Sequence, residues 1–154
     1  MNFQPSNFEP GSAKHPLEWA REHPAFFFPD GKATSQALTA QLIAGVRALG
    51  SDAVSGHIVN EWSVVAAADD WFLLGQFRIP ESLQFASLTP FPEVGQNSTR
   101  PEALIAAFAS DIVVLGPLGI RVAKGTIAPN DALHSLLARS PAWRCAVAFR
   151  GIDA

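Results

Sequence analysis

Apolar residues recur three or four positions apart in four stretches of the chain, the spacing that gives a helix one buried face. The longest stretch follows Thr34 and Ser35, either of which can cap a helix, and it ends before Gly50, a residue typical of helix ends. The predicted helices cover residues 17–22, 35–49, 101–109 and 130–139.

Residues at the helix ends support these boundaries. Pro16 suits the first position of the first helix, because a proline has no N–H to leave unpaired there. Thr99 and Glu102 have the spacing of a capping box, in which each side chain accepts a hydrogen bond from the other residue's backbone N–H. Asn130 is the expected cap of the last helix. Residues 25–28 form a short apolar stub.

Runs rich in β-branched and aromatic residues predict strands. Short polar links separate them, namely Asn60-Glu61, Asp69-Asp70 and the Gly-Pro-Leu-Gly segment 116–119. Strands joined by such links form antiparallel hairpins. The predicted strands cover residues 53–59, 62–68, 71–79, 112–115, 120–124 and 143–152, and residues 83–88 are a candidate for one more.

Helices and hairpins alternate along the chain without regular strand-helix-strand units, so the sequence predicts an α+β fold. We expect a mostly antiparallel sheet with helices packed on one face, as a two-layer sandwich. Two prolines and a glycine indicate that residues 1–12 form an irregular N-terminal arm. A chain of 154 residues suits one domain, and residues 13–154 are predicted to form it.

The composition predicts an unusually apolar surface. The chain is 48% hydrophobic and 16% charged, against roughly 25% charged residues in an average soluble domain. With so few charges to cover the surface, some apolar area should stay exposed. We therefore expect a protein partner or a homo-oligomer such as a dimer.

Charge and patterning exclude several classes of partner. The net charge is −3 and the basic residues are scattered, which argues against direct nucleic-acid binding, because that needs clustered cations. No apolar run approaches the roughly 18 residues of a membrane span, and the N-terminus lacks the features of a secretion signal. We expect no membrane association and a cytoplasmic location. The single cysteine, Cys145, excludes an internal disulfide and is predicted to be buried and structural.

Asp69, Asp70 and Trp71 are the candidate ligand-binding residues. Two adjacent carboxylates beside an indole, between two apolar strands, can orient a ligand by accepting its hydrogen bonds. The simpler interpretation is a hairpin turn, since aspartate is a favoured turn residue.

The sequence predicts no catalytic residue and no metal site. A metal needs two imidazoles aimed at one point, and no pair of histidines has the helical i, i+4 or the H-x-H spacing that does this. No G-x-S-x-G elbow marks a nucleophilic serine. The histidines are His15, His23, His57 and His134.

Four short segments follow one another in a specific order. Residues 23–28 (His-Pro-Ala-Phe-Phe-Phe) precede the longest helix, Asp69-Asp70 follow a predicted strand, residues 103–114 pass from a helix into a strand, and residues 144–150 form a late strand. In this order they resemble the N-terminal ATPase domain of gyrase B-type topoisomerase subunits, of the histidine-kinase-like ATPase superfamily. There, R-P-x-M-Y-[IF]-G precedes a helix and D-D-G-R-G ends a hairpin. The resemblance covers most of residues 15–153 and implies an ATPase-like fold.

The sequence departs from that family where the family performs its chemistry. The family's helix presents a Glu that activates water and an Asn that holds Mg²⁺. Here the matching turns offer Leu38, Thr39, Leu42 and Ile43. Bulky residues 71–73 replace the family's glycines, and residues 96–101 replace its glycine-rich lid. The resemblance therefore implies a non-catalytic domain that binds a ligand or a protein and needs no cofactor. Residual adenine-nucleotide binding would use Asp69, which matches the position that reads the adenine amino group.

Two alternatives remain open. The first is a small α+β enzyme whose site combines Asp69 or Asp70 with His57 and Arg78. The second is a protein-interaction domain that uses an aromatic N-terminal surface, because aromatic residues dominate interface hot spots. Ordinary core packing is the simpler interpretation of the same aromatic residues. This aromatic set is Phe3, Phe8, Trp19 and residues 26–28.

Overall fold

The computed structural model describes residues 15–76, 78 and 80–152, and it confirms the α+β prediction. Five strands form one antiparallel sheet in the order β1-β2-β5-β3-β4. The strands are β1 (Val54–Val59), β2 (Trp62–Ala67), β3 (Asp111–Gly116), β4 (Gly119–Lys124) and β5 (Cys145–Arg150). The predicted arm, residues 1–12, lies outside the described residues.

Turn residues close the two hairpins of this sheet. Asn60 has a φ of 53° in the link between β1 and β2, a left-handed conformation that asparagine tolerates. Gly119 has a φ of 104° and pairs with Gly116 across the link between β3 and β4. β5 pairs with β2 on one side and with β3 on the other. It therefore joins the two hairpins into a single sheet.

The helices are α1 (Pro16–Glu22), α2 (Pro24–Phe27), α3 (Ser35–Ala48), α4 (Glu81–Gln84), α5 (Pro101–Phe108) and α6 (Ala132–Arg139). α1, α3 and α5 contribute to the larger core, together with alternate residues of the central strands such as Val65, Val147 and Phe149. The expected layer of helices on one face is therefore present. Within the described ranges, no helix is long and apolar enough to cross a membrane.

The opposite face of the sheet has a smaller core. Trp62, Val64 and Ala148 point to this side, because successive residues of a strand alternate between the two faces. Leu133 and Leu137 of α6 pack against them. α6 thus covers part of the second face, an addition to the two layers expected from the sequence.

The predicted strand at 71–79 is wrong. Trp71–Leu73 form a 3-10 helix, whose N-terminus is capped by the Asp70 side chain accepting from the N–H of Phe72 at 3.3 Å. Gly75 follows with a φ of 94°, which an extended strand does not accommodate. Asp69-Asp70 consequently lead from β2 into a helical turn rather than linking two strands. Residues 77 and 79 lie outside the described part of the chain.

Two other short segments also differ from their predictions. Residues 83–88 are not a strand, since α4 begins after Pro80 and includes the first two of them. The apolar stub at 25–28 belongs largely to α2, which begins at Pro24, a favoured first helical residue. Periodicity carries little information over four residues, so tertiary packing decides such segments.

The predicted caps of α5 and α6 are also wrong. Arg100 precedes α5 without a side-chain cap, and Glu102 turns into the core instead of completing a box with Thr99. Asp131, not Asn130, caps α6 by accepting from the N–H of Leu133 at 2.9 Å.

Candidate functional site

The three predicted ligand-binding residues lie in different environments. Asp69 is exposed and accepts a hydrogen bond from the Ser51 hydroxyl at 2.8 Å. Asp70 is half-buried at the N-terminus of the 3-10 helix. Trp71 is completely buried, and its indole N–H donates to Glu102 at 3.1 Å. The two carboxylates can therefore meet a ligand, whereas the indole belongs to the core.

Asp70 lines a depression between the 3-10 helix and the tip of the β3–β4 hairpin. This first lobe has a volume of about 380 Å³. Phe72 and Val114 contribute apolar side chains to it, and Glu81 and Arg121 contribute charged ones. A small ligand would meet a mainly hydrocarbon surface with ionic groups on it.

A second lobe of about 500 Å³ adjoins the first. Asp69, Trp143 and Arg144 line it, so it offers a carboxylate, an aromatic ring and a guanidinium group. The two lobes share four residues, and together we call them the Asp70 cleft. The shared residues are Asp70, Leu73, Gly116 and Pro117.

The rim of the Asp70 cleft exposes apolar side chains. Leu73 is 65% exposed on the 3-10 helix, and Leu118 is fully exposed on the hairpin tip. Gly116 adds no side chain to the cleft, and a Cβ placed on it would meet no atom within 4 Å. Exposed leucines around a depression are typical of a surface that a ligand or partner covers.

The charges at the cleft are partly paired. Glu81 forms an ion pair with Arg121 through one carboxylate oxygen, Oε2. Its other oxygen, Oε1, is buried and has no hydrogen-bond partner among the described residues. Below the cleft, burial raises the pKa of the Cys145 thiol well above its usual range, and the Asp70 carboxylate adds to the shift. Cys145 is thus buried as predicted, and it stays protonated and unreactive at neutral pH.

The residues proposed for the alternative enzyme use other partners. His57 shares a hydrogen bond of 2.7 Å with the Ser55 hydroxyl, and its ring lies 4.8 Å from that of Trp143. Arg78 donates to the Gly75 carbonyl at 3.3 Å. Each of these side chains is engaged by its own neighbourhood rather than by Asp69 or Asp70.

The aromatic N-terminal residues form a cluster on α1 and α2. Trp19 stacks on His23 with ring centroids 4.3 Å apart, and Phe26 meets Trp19 edge to face at 5.3 Å. Phe26 is 73% exposed, whereas Phe28 is buried against Phe108. Part of the predicted aromatic surface therefore exists and part is core. Residues 3 and 8 lie outside the described residues.

The structure contains a buried ion pair that the sequence pattern does not predict. Arg100 and Glu102 are 3% and 1% exposed, and two hydrogen bonds of 3.1 and 2.6 Å join them. Glu102 also accepts from Trp71, and the Arg100 guanidinium lies over the Phe91 ring, 4.9 Å from its centroid. The sequence signal for this ion pair is the acid Glu102 within the otherwise apolar α5. The capping-box hypothesis assigned that acid to the helix N-terminus instead.

Metal-binding groups do not converge in the part of the chain that the structure describes. No three His, Cys, Asp or Glu side chains there lie close enough to hold an ion. The carboxylates and guanidinium groups of the Asp70 cleft suit hydrogen bonding and ion pairing with a ligand instead.

The chain was also compared with known proteins. No protein-family model, no curated protein and no solved structure matches it. The resemblance to gyrase B-type ATPase domains stays a prediction from the order of the motifs.

Proposed function

We propose that this chain is a non-catalytic binding domain whose ligand occupies the Asp70 cleft. The observation that carries the proposal is the pair of adjoining lobes that share Asp70, Leu73 and Gly116 beneath exposed apolar rims. Small-molecule sites are typically concave and mainly apolar, with a few polar groups that orient the ligand. The Asp70 cleft has each of these properties.

The chemistry of the lining favours binding over turnover. Its ionisable side chains are carboxylates and guanidinium groups, which recognise charge and hydrogen-bonding groups directly. The Cys145 thiol lies below the surface with a raised pKa, so it is a poor nucleophile.

The second lobe is where the ATPase resemblance would place an adenine nucleotide. Asp69, the position that would read an adenine amino group, lines this lobe with Trp143 and Arg144. A planar base could stack on the indole while the guanidinium group meets an anion. Adenine nucleotides are therefore useful probes, and we expect any binding to be weak and independent of Mg²⁺.

Two further expectations belong with this proposal. A protein partner or a second copy of the chain has a candidate surface on the edge strand β4, where Ile120 and Val122 are exposed next to Leu118 of the hairpin tip. Exposed edge strands with apolar side chains are prone to pair with another strand.

The buried free thiol of Cys145 suits a reducing compartment such as the cytoplasm.

Filling the cleft tests the proposal. The full chain, labelled with ¹⁵N, is titrated with 2-phenylethanol, 2-phenylethylamine and ATP, and backbone amide shifts are recorded. We expect at least one probe to move the amides of Leu73 and Gly119. Gly116→Trp should weaken this binding by about tenfold or more, because a Cβ at Gly116 meets no atom within 4 Å and the indole attached to it would compete with the ligand for the cleft.

Two control variants accompany this test. Gly116→Ala adds one methyl group at the same site and should keep most of the binding. Ile58→Ser changes an exposed residue on the opposite edge strand and should leave binding unchanged. The proposal is wrong if none of the probes shifts amides at the cleft, or if the purified chain clearly turns over ATP.

A further inference from the structure

A second groove, of about 420 Å³, lies between α1, the end of α5 and β4. It shares no lining residue with either lobe of the Asp70 cleft, and we call it the Lys124 groove. Its volume lies in the range of small-molecule sites, roughly 300–1,000 Å³. The apolar wall includes the half-buried Leu17 and Ala123, the exposed Ala86, and Phe85, which is 7% exposed. The polar lining residues are His15, Glu18, Arg21 and Lys124.

Two cations lie side by side on the wall of the Lys124 groove. The Lys124 ammonium donates to the Ala106 carbonyl at 2.8 Å, and the Arg21 guanidinium donates to the Ala107 carbonyl at 3.0 Å. All four residues line the groove. Cations often satisfy the last carbonyls of a helix in this way, but an ammonium has three N–H donors and Ala106 accepts from one of them. Lys124 can therefore donate to a ligand as well as to α5.

The charges around Lys124 favour an anionic ligand. Partial burial lowers the pKa of the Lys124 ammonium, and the positive charge of Arg21 lowers it further, while Asp111 opposes the shift. Asp111 is itself engaged by Arg150, which donates to it at 2.9 Å. With histidine counted as neutral, two cations and one carboxylate, that of Glu18, line the groove. An anion beside Lys124 would stabilise its charged form.

The described residues do not supply that anion. No ion pair joins Lys124 to a carboxylate within the part of the chain that the structure covers. The apolar wall favours a ligand with a hydrocarbon portion, because burying such a portion against Leu17 and Phe85 removes apolar surface from water. A simple inorganic anion would leave that wall uncovered.

We propose that the Lys124 groove binds a small organic carboxylate, namely one carboxylate group attached to a compact apolar body. The carboxylate accepts a hydrogen bond from the Lys124 ammonium in the positive field of Arg21, and the apolar body lies against Leu17 and Phe85. This site is separate from the Asp70 cleft and does not depend on the function proposed for that cleft.

Three probes separate the charge of the ligand from its apolar body. 3-Phenylpropanoate carries both, 3-phenylpropan-1-ol replaces the carboxylate with a hydroxyl, and acetate lacks the body. Dissociation constants are measured at pH 7 by NMR titration of the full ¹⁵N-labelled chain, following the amides of Ala107 and Ala123. We expect 3-phenylpropanoate to bind about fivefold or more tightly than either other probe, since only it combines a charge-assisted hydrogen bond with apolar burial.

Variants of Lys124 assign the preference to its charge. Lys124→Met removes the charge at similar length, and it should weaken 3-phenylpropanoate binding by about fivefold or more while changing alcohol binding by less than about twofold. Lys124→Arg keeps the charge and should keep most of the binding. Lys32→Met removes an exposed lysine before α3, outside the groove, and should change neither constant.

The pKa of Lys124 gives a readout that a merely structural role would not move. The ¹³C shift of its Cε is followed against pH, with and without saturating ligand. We expect 3-phenylpropanoate to raise the pKa, because a bound carboxylate stabilises the ammonium, and the alcohol to leave it unchanged. This measurement uses the wild-type chain, so it decides the matter even if Lys124→Met does not fold.

The opposite results overturn the proposal. Equal binding of 3-phenylpropanoate and the alcohol excludes recognition of the carboxylate, and equal binding of acetate excludes recognition of the apolar body. A pKa of Lys124 that stays constant on saturation excludes contact with its ammonium. Shifts confined to the amides of Leu73 and Gly119 would place the ligand in the Asp70 cleft, contradicting the Lys124 groove while supporting the binding function proposed above.

Discussion

At the scale of single residues, Gln84 stands out. It is completely buried on α4, and neither the nitrogen nor the oxygen of its side-chain amide has a hydrogen-bond partner among the described residues. Burying an amide without partners costs free energy, because it loses its hydrogen bonds to water and forms none in the protein. Gln84 therefore lowers the stability of the fold at a position where an apolar side chain of similar length would fit.

Replacing this side chain should stabilise the protein. We expect Gln84→Met to raise the free energy of unfolding by about 1–3 kcal/mol, because the unpaired polar atoms disappear while the length of the side chain is kept. Urea denaturation followed by circular dichroism measures the change. The control is Gln41→Met, which removes an amide that donates to the Phe27 carbonyl at 3.3 Å and should give no such gain. A lower stability of Gln84→Met would contradict the prediction.

The candidate site was only partly predictable at this scale. Asp69 and Asp70 are adjacent in sequence, so a short polar pair between apolar runs made them visible. Trp71 had the same local appearance, but its indole is directed into the core by Glu102. Trp143 and Arg144 join the site from a segment far along the chain, and only the pairing of β5 with β2 brings them there.

At the scale of elements, the buried pair Arg100 and Glu102 fixes how α5 begins. The pair precedes and enters the helix, contacts Trp71 next to the cleft, and holds Phe91 of the preceding loop under the guanidinium group. The ion pair thus connects the start of α5 to Trp71 and to Phe91.

Breaking this pair should be costly. Glu102→Gln leaves the Arg100 charge buried without its counter-ion, and we expect a loss of about 3–5 kcal/mol in the free energy of unfolding. The measurement is equilibrium denaturation at pH 7. The double variant Arg100→Met, Glu102→Leu removes both charges and should recover most of the loss. Equal destabilisation by the single and the double variant would show that shape, rather than charge, matters at this position.

Periodicity was informative for the longer elements and poor for the short ones. The helix at 35–48 and the hairpins closed at Asn60 and Gly119 follow from their own sequence patterns. The 3-10 helix Trp71–Leu73 does not, because its apolar composition matches a strand equally well. The turn is closed by the Phe72 N–H donating to the Asp70 side chain and by the Leu73 N–H donating to the Asp70 carbonyl at 3.1 Å.

At the scale of the whole molecule, one ionic cluster connects parts of the chain that are far apart. Arg150 on β5 pairs with Asp111 on β3 at 2.9 Å, with Glu61 in the β1–β2 link at 2.6 Å and with Asp131 before α6 at 3.6 Å. Its guanidinium group also lies over the Trp62 ring, 4.2 Å from the centroid. The cluster ties both hairpins and α6 to the central strand.

This cluster predicts how stability responds to acid. The backbone N–H of Thr126, together with Arg150, holds the pKa of Asp111 below its ordinary value of 3.8. A carboxyl whose pKa is lower in the folded state adds stability that is complete above its unfolded value and is lost as pH falls through its folded value. We expect Asp111→Asn to cost about 1–2 kcal/mol at pH 7, and the difference from the wild type to shrink below about pH 4.

Thermal or urea denaturation between pH 7 and pH 2 measures that difference. Asp30→Asn, at an exposed turn residue, is the matched control and should differ little from the wild type at any pH. A cost of Asp111→Asn that stays constant down to pH 2 would exclude the ionised carboxylate as its cause.

The central position of β5 determines when the sheet can be completed during synthesis on the ribosome. β5 follows the other four strands in the chain but lies at the centre of the sheet, between β2 and β3. While the polypeptide is being synthesised, the β1–β2 and β3–β4 hairpins emerge with no strand to join them. Their inner edges must stay unpaired until β5 leaves the exit tunnel, which makes this interval the time when a nascent chain most needs a chaperone.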